Sequence, residues 1–331
     1  MDEFELIKTI FHPLQHPAGE GDKSADSFLM KIGDDAAVWK GQGNLAFSID
    51  TLVEGVHFTP DIPPKDLGYR VLAVNLSDLA AMSATPQFFT LAITLPSCQS
   101  EWLKLFALGM KELVDQYQIP LVGGDTTKGP LTITIQAHGL TANPVYRSGA
   151  QVGDDVYVSG CLGDAAAGLK LWLDGIRNPD SSDQCYLIER FHRPTPRIEL
   201  GEALATVATA MLDVSDGLVA DLSHVATASQ CAIELDAGKL PLSESLLKAV
   251  DQNQAKTWAL SGGDDYELAF TVPSSQRDVL KQISEELGVS LTRIGSVKSP
   301  GNANKNNANK NLVNVINGPE AIKTSGYNHF A

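Results

Sequence analysis

The chain has 331 residues, 43% of them hydrophobic and 20% charged, which is typical of a globular protein long enough for two domains. Its net charge of −15 argues against nucleic acid or an anionic membrane as a partner. No apolar run approaches the roughly 20 residues of a membrane helix, and residues 1–5 are acidic, whereas an export signal begins with basic residues. The four cysteines form no C-x-x-C pair. We therefore expect a cytoplasmic protein with reduced thiols, two or three of them in the core.

The first part of the chain predicts an α/β domain. Strands and helices alternate there, with a Gly-rich turn at 41–44 between two strands. We place the boundary of this domain at residue 143, because the stretch 141–153 contains a proline and two glycines. The predicted helices are 4–14, 66–84 and 101–118, and the predicted strands are 28–32, 36–40, 45–49, 87–95, 121–123 and 131–139.

The remainder, 144–331, predicts a second α/β domain. Residues 174–197 are interpreted as loop-rich. A tandem Asn-rich pentamer at 302–311 is interpreted as the expanded tip of a hairpin without a chemical role, and metal or partner binding is the alternative. The predicted helices are 164–173, 198–208, 218–229 and 276–287, and the predicted strands are 155–159, a strand ending at Asp213, 232–235, 266–272, 292–297 and 312–316.

Aspartates among small or apolar neighbours are the most informative feature of the sequence. A carboxylate in such surroundings must be paired, hydrogen-bonded or bound to metal. Lysine and arginine are nearly absent from these segments, and oxygen ligands without His or Cys suit hard cations, chiefly Mg²⁺. The segments therefore predict several Mg²⁺ ions around a phosphate-rich substrate; they contain Asp34, Asp35, Asp50, Asp78, Asp125, Asp213, Asp216, Asp264 and Asp265.

Asp78 lies deep inside the predicted helix 66–84, where aspartate is a poor helix former. Asn75 stands one turn earlier on the same face, which puts two oxygen-bearing groups side by side. A solvated helix face is the alternative interpretation.

Other aspartates follow predicted strands or tight bends. Asp50 and Asp213 each end a strand, and ligands of α/β sheets bind beyond strand ends. Asp125 follows a Gly-Gly pair that allows positive φ and a close approach to phosphate. Asp216 could cap the helix 218–229 or bind metal. Gly33-Asp34-Asp35, taken by itself, is typical of an ordinary turn.

Two further residues stand near these segments. Arg147, at the domain junction, could bind phosphate or pair with surface carboxylates. His57 follows the region of Asp50, and packing or capping is the alternative to a ligand role. The P-loop, protein-kinase, H-E-x-x-H and G-x-S-x-G signatures are missing from the sequence.

Taken together, the segments closely resemble the thiamine-monophosphate kinase family, within the superfamily of aminoimidazole ribonucleotide synthetase and selenophosphate synthetase. The motifs that carry the resemblance are IGDDAAV, DTLVEGVHF, AVNLSDLAAM, LVGGDTT, RSGA, LDVSDGL and LSGGDDYEL, with GYNHF near the end. The resemblance implies a two-domain α/β fold, with an N-terminal α/β dimerisation domain and a C-terminal α/β domain. It also implies a homodimer that transfers the γ-phosphoryl group of ATP to thiamine monophosphate with several Mg²⁺ ions.

The resemblance also implies residue roles. It implies metal ligation by Asp35, Ser48, Ile49, Asp50, Asp78, Asp125, Asp213 and Asp216, of which Asp50, Asp78, Asp125, Asp213 and Asp216 are the catalytic candidates. It implies ATP contacts by Gly124, Asp125, Arg147 and Ser215, and substrate contacts by His57, Asp264 and Tyr327. The chain departs from the family in two places. Ile49 stands where threonine is frequent, which leaves only a backbone ligand at this position, and Asp264 stands where glutamate is frequent.

Rival interpretations stay open at this point. Another enzyme of the same superfamily is one; selenophosphate synthetase is disfavoured because its chemistry relies on an N-terminal Cys or selenocysteine, whereas the first cysteine here is Cys98. A non-catalytic divalent-cation-binding protein is the other, and it would leave Gly124, Arg147 and Ser215 without a role.

Overall fold

The computed structural model describes residues 7–15, 28–30, 38–39, 43–300 and 312–319. The chain divides into two compact units, 1–79 with 84–142, and 80–83 with 143–331. In the described part of the chain, no helix is both long and apolar enough to cross a membrane. The predicted division at residue 143, with dimerisation assigned to the first part, stays a prediction.

The first unit is built on a four-stranded sheet in the order β3-β6-β4-β5. β3 pairs antiparallel with β6, β6 antiparallel with β4, and β4 parallel with β5 through a helical crossover. A separate two-stranded pair, β1 with β2, precedes the sheet. The elements are β1 (Phe28–Met30), β2 (Val38–Trp39), β3 (Asn44–Val53), α1 (Pro64–Ala81), β4 (Thr85–Leu95), α2 (Ser100–Tyr117), β5 (Leu121–Lys128) and β6 (Thr132–Thr141).

Two glycines allow α1 and α2 to pack backbone against backbone. A Cβ at Gly68 would lie 1.9 Å from the carbonyl oxygen of Phe106, and one at Gly109 would lie 1.8 Å from that of Lys65. Any side chain at either position would push the helices apart. This close packing fixes the helix that carries Asp78.

The second unit contains a six-stranded sheet in the order β12-β9-β11-β7-β10-β8, and β7 and β10 are buried along their whole length. Such continuous burial requires cover on both faces. The elements are β7 (Asp155–Ser159), α3 (Asp164–Leu173), α4 (Ser182–His192), α5 (Ile198–Leu204), β8 (Ala210–Asp213), α6 (Leu218–Ala228), β9 (Ala232–Asp236), α7 (Glu244–Ala249), α8 (Gln252–Ser261), β10 (Leu268–Val272), α9 (Arg277–Leu287), β11 (Leu291–Lys298) and β12 (Val313–Ile316).

The structure corrects three expectations about the second unit. The region 174–197, predicted to be loop-rich, contains α4, which begins at a Ser181 side-chain cap and buries Leu187 and Phe191. Helices α7 and α8 were not predicted. The predicted hairpin of the last two strands is wrong, because β9 lies between them, antiparallel to β11 and parallel to β12. The Asn-rich segment 302–311 lies outside the described residues.

Fewer cysteines than expected lie in the core. All four are free thiols, but only Cys231 is buried, while Cys98 and Cys185 are exposed and Cys161 is intermediate.

Candidate functional site

The alternation of strand β3 places its polar and apolar side chains on opposite faces. Ser48 and Asp50 point to the face covered by α1, where their side chains are partly buried. Phe47 and Ile49 point the other way and are 64% and 59% exposed. One strand therefore contributes both an acidic site and an apolar surface.

Helix α1 brings a second carboxylate to the same place. The Ser48 hydroxyl donates a hydrogen bond to the Asp78 carboxylate. The Asn75 amide is held between two backbone groups, since its oxygen accepts from the Asp50 N–H at 3.2 Å and its nitrogen donates to the Val71 carbonyl at 2.9 Å. Asn75 therefore ties the strand to the helix.

The Asp50–Asp78 pair has the electrostatics of a cation site. Burial, and then the charge and hydrogen bond of Asp78, raise the pKa of Asp50 to about 6. Among the described residues, no three His, Cys, Asp or Glu side chains lie close enough to hold a metal by themselves. A pair of carboxylates nevertheless suits Mg²⁺, which commonly takes one or two carboxylates and completes its shell with water and phosphate oxygens.

The second unit carries its acidic residues on the turn between β8 and α6. Asp213 is the last residue of β8 and is only 4% exposed. The Asp221 carboxylate, in the first turn of α6, accepts the N–H groups of Ser215 and Asp216, each at 3.1 Å. Burial and the nearby Asp216 raise the pKa of Asp221 to about 7. The turn is thus held by a buried carboxylate beneath it.

A second loop packs directly on this turn. The Asp264 N–H donates to the Ser215 carbonyl at 2.8 Å, and the Tyr266 N–H donates to the Val214 carbonyl at 2.8 Å. Asp264 itself is in the left-handed region, with φ of 62°. The two motifs LDVSDGL and LSGGDDYEL therefore form one structural unit.

Asp265, next to Asp264, has a structural role. Its carboxylate accepts the N–H groups of Gly163 at 2.7 Å and Ala165 at 3.3 Å, at the start of α3. Complete burial raises its pKa to about 8. Asp265 thereby occupies the helix N-terminus that could otherwise attract a phosphate group.

Comparison with known proteins identifies the family. The family model of the AIR synthase related protein, N-terminal domain, matches residues 33–141, and that of the C-terminal domain matches 151–304. The chain is 45% identical over 334 residues to the thiamine-monophosphate kinase of Escherichia coli strain K12, covering 99% of this chain and 98% of that kinase. The chain belongs to the thiamine-monophosphate kinase family.

Solved structures of the family agree with this assignment. The crystal structure of thiamine-monophosphate kinase from Stenotrophomonas maltophilia K279a superimposes with a TM-score of 0.84 at 42% identity, covering 95% of this chain and 96% of that one. The complex of AaThiL with AMPPCP and TMP superimposes with a TM-score of 0.76 at 31% identity, covering 99% and 97%. The two-domain α/β fold and the resemblance seen in the sequence are thus confirmed.

Asp50 and Asp125 do not follow the ends of strands, although the sequence predicted that they would. Asp50 lies inside β3, which continues to Val53, and Asp125 lies inside β5. β3 and β5 are the opposite edges of the sheet, three strand spacings or about 14 Å apart. The structure therefore joins Asp50 to Asp78 but does not bring Asp125 to them within one chain.

Gly124 is required for packing rather than for a positive φ. Neither glycine of the Gly123-Gly124 pair has a positive φ, so the expectation of such a turn is wrong. A Cβ at Gly124 would lie 1.9 Å from the carbonyl oxygen of Leu91 on β4. The glycine is thus needed for the approach of the two parallel strands.

The helix-cap alternative for Asp216 is also wrong. The N-cap of α6 is Gly217, without a side-chain cap, and Asp221 satisfies the backbone of the turn instead. Sequence reasoning missed Asp221, although an aspartate in the first turn of an apolar helix was a visible signal. Asp216 consequently remains available to a ligand.

His57 has a local structural contact. Its Nδ1 accepts the N–H of Val53 at 3.0 Å, which closes the turn after β3. The packing alternative is therefore supported, while the substrate role stays a prediction. Asp34, Asp35 and Tyr327 lie outside the described residues.

The shifted pKa of Asp50 predicts a pH dependence of the metal-free protein. Because folding favours the neutral carboxyl, its contribution to stability is fully present below about pH 4 and is lost as the pH rises from there through about 6. In EDTA, the free energy of unfolding measured by urea titration should fall over this range. Asp50→Asn should remove that part of the slope, whereas the part from Asp221 remains in both proteins. Equal slopes in the two proteins would contradict the assignment.

Proposed function

We infer that this protein is a thiamine-monophosphate kinase, which forms thiamine diphosphate and ADP from thiamine monophosphate and ATP. The observation that carries the inference is full-length identity of 45% to a thiamine-monophosphate kinase. It is supported by the likeness to AaThiL complexed with AMPPCP and TMP, because AMPPCP is an analogue of ATP. The ordered motifs and the acidic pair fit the same reaction.

In this reaction an oxygen of the acceptor phosphate forms a bond to the γ-phosphorus, while the bond from that phosphorus to the β–γ bridging oxygen breaks. Catalysis of such transfer depends on alignment and on charge neutralisation, with little acid–base work. The protein must therefore hold two polyanionic groups in line despite its own net charge of −15. No covalent phospho-enzyme is needed.

We propose Mg²⁺ as the cofactor, in more than one copy. In the first unit Asp50 and Asp78 would hold it, with Ser48 and the Ile49 carbonyl beside them; in the second unit Asp213 and Asp216 would do so. Mg²⁺ held by these residues would neutralise phosphate charge and so lower the cost of the negative charge that develops in the transition state. The assignment of Asp35 as a further ligand stays a prediction.

We assign ATP contacts to Ser215 and Arg147 in the second unit, and to Gly124 and Asp125 in the first. The exposed Arg147 side chain can form two parallel hydrogen bonds to a phosphate group.

Substrate contacts are assigned to His57, Asp264 and Tyr327. The thiazolium ring of thiamine is cationic, so an aromatic face and an acidic neighbour suit it.

A homodimer built on the first unit is also proposed. Leu45, Phe47 and Ile49 form an exposed apolar row on β3, which is an edge strand. Such a row is a feature of interaction surfaces. A dimer would also explain how Asp125 can take part although it is distant from Asp50 within one chain, since Asp125 of the partner subunit could complete the site of the Asp50–Asp78 pair.

Mixing inactive variants tests this sharing. If each site takes Asp50 from one subunit and Asp125 from the other, Asp50→Asn mixed with Asp125→Asn should recover about a quarter of wild-type activity after subunit exchange, because half the dimers are mixed and each has one intact site. The control is Asp50→Asn mixed with Asp78→Asn, which should recover none. A dimer that gains no activity in the first mixture would show that the site is not shared.

The direct test of function is thiamine diphosphate formation, followed by chromatography, with purified protein, Mg²⁺-ATP and thiamine monophosphate. Binding of Mg²⁺-ATP without turnover of any acceptor would favour the non-catalytic alternative. A cytoplasmic location is proposed with the function, and four free cysteines agree with it.

A further inference from the structure

Arg147 has an exposed side chain, but the backbone of the segment around it, 146–151, is fixed by hydrogen bonds. On one side, the Tyr146 carbonyl accepts the N–H of Met211 in β8 at 3.1 Å. On the other side, the Gln151 N–H donates to the buried Asp154 carboxylate at 2.9 Å. A long, exposed side chain is therefore anchored at its base.

One hydroxyl supplies the contacts between these two anchors. Ser229 is the C-cap of α6, and its Oγ donates to the Arg147 carbonyl at 3.1 Å. The same Oγ accepts the N–H groups of Gly149 at 3.0 Å and Ala150 at 3.1 Å. A serine hydroxyl has one proton to donate and two lone pairs, so its hydrogen-bonding capacity is fully used on this segment.

The opposite end of α6 holds the other proposed ATP-contacting element. There Asp221 accepts the N–H groups of Ser215 and Asp216. The charge of Arg147 also acts on Asp221, where it opposes the rise of the pKa. The Arg147 segment and the Ser215–Asp216 turn are therefore both attached to one rigid helix of 11 residues.

We propose that Ser229 is a positioning residue for ATP, acting through the backbone of Arg147. Its hydroxyl holds Arg147 so that the guanidinium meets phosphate oxygens at a fixed distance from the Ser215–Asp216 turn. Without it, the segment must be ordered when ATP binds, and binding energy is lost. The inference rests on the ATP contacts assigned to Arg147 and Ser215.

Ser229→Ala should raise KM for ATP roughly tenfold and weaken Mg²⁺-ATP affinity in calorimetry by the same factor. KM for thiamine monophosphate should stay within about twofold, because no contact of Ser229 leads to the proposed acceptor residues. The matched control is Ser223→Ala on the same helix, where the hydroxyl donates only to the Ala220 carbonyl; it should leave both KM values unchanged.

A double mutant separates positioning from a general structural effect. If Ser229 acts through Arg147, then Ser229→Ala should have no further effect on ATP affinity in an Arg147→Ala background. Additive effects, or wild-type ATP affinity in Ser229→Ala, would overturn the proposal. If the Ala variant does not fold, Ser229→Cys keeps the volume with weaker hydrogen bonds, and wild-type affinity there would overturn it equally.

The proposed function and the role of Ser229 can be refuted independently. A wild-type protein that does not phosphorylate thiamine monophosphate would refute the proposed function. The calorimetric comparison with Mg²⁺-ATP would still decide the role of Ser229, since it requires no turnover.

Discussion

Asp78→Asn should lower kcat about a thousandfold with little change in melting temperature. The substitution keeps the size of the side chain and an oxygen that can accept from Ser48, as the Asp78 carboxylate does now. It removes a charge of the proposed cation site at Asp50 and Asp78. An interaction that stabilises developing charge contributes several kcal/mol to the transition state. Steady-state kinetics at increasing Mg²⁺ would measure the loss.

The stability of this variant is informative in its own right. Because Asp78 raises the pKa of Asp50, neutralising it relieves repulsion in the metal-free protein. Asp78→Asn should therefore unfold in EDTA at the same or a higher temperature than wild type. Asp66→Asn, the same change in the first turn of α1, is the control and should keep wild-type kcat. Near-normal kcat of Asp78→Asn at saturating Mg²⁺ would show that Asp78 is structural.

Free thiamine should be a far poorer acceptor than thiamine monophosphate, with kcat/KM lower by about 10³ or more. A site that binds a charged group of its substrate leaves its own charges unpaired when that group is missing. If Mg²⁺ is held at Asp50 and Asp78 as proposed, free thiamine would lack the phosphate oxygens that complete its coordination, and little transition-state stabilisation would remain.

Chromatography of the products with each acceptor measures this discrimination. EDTA should abolish product formation from thiamine monophosphate, and added Mg²⁺ should restore it. Comparable rates with the two acceptors would refute the role of the acceptor phosphate, and undiminished activity in chelator would refute the metal-dependent mechanism. Failure of both acceptors would favour another activity within the superfamily.

Much of the architecture could be predicted from local patterns. The long helices α1 and α2 and the strand β7 follow from periodicity and from the residues at their ends, which are properties of neighbouring residues alone. The burial of Asp213 follows the same logic, because apolar neighbours in sequence predict that a carboxylate is taken out of water.

The sequence by itself determined the family and most of the strands and helices along the chain, although not α4, α7 and α8. The order of the motifs along the chain can be read without knowledge of the tertiary contacts. The proposal of a bound cation also follows from composition, since the motif aspartates have few lysines or arginines beside them in sequence.

Only the tertiary structure decided which residues are partners. Arg190 and Arg197, remote in sequence, neutralise the buried Glu267, whereas no local pattern predicts this ion pairing. Strand order separates Asp50 from Asp125 and places β9 between β11 and β12. Strand pairing and buried hydrogen bonds join groups that are distant in sequence. Their energies depend on distance and desolvation, and a linear sequence pattern contains no information on either quantity.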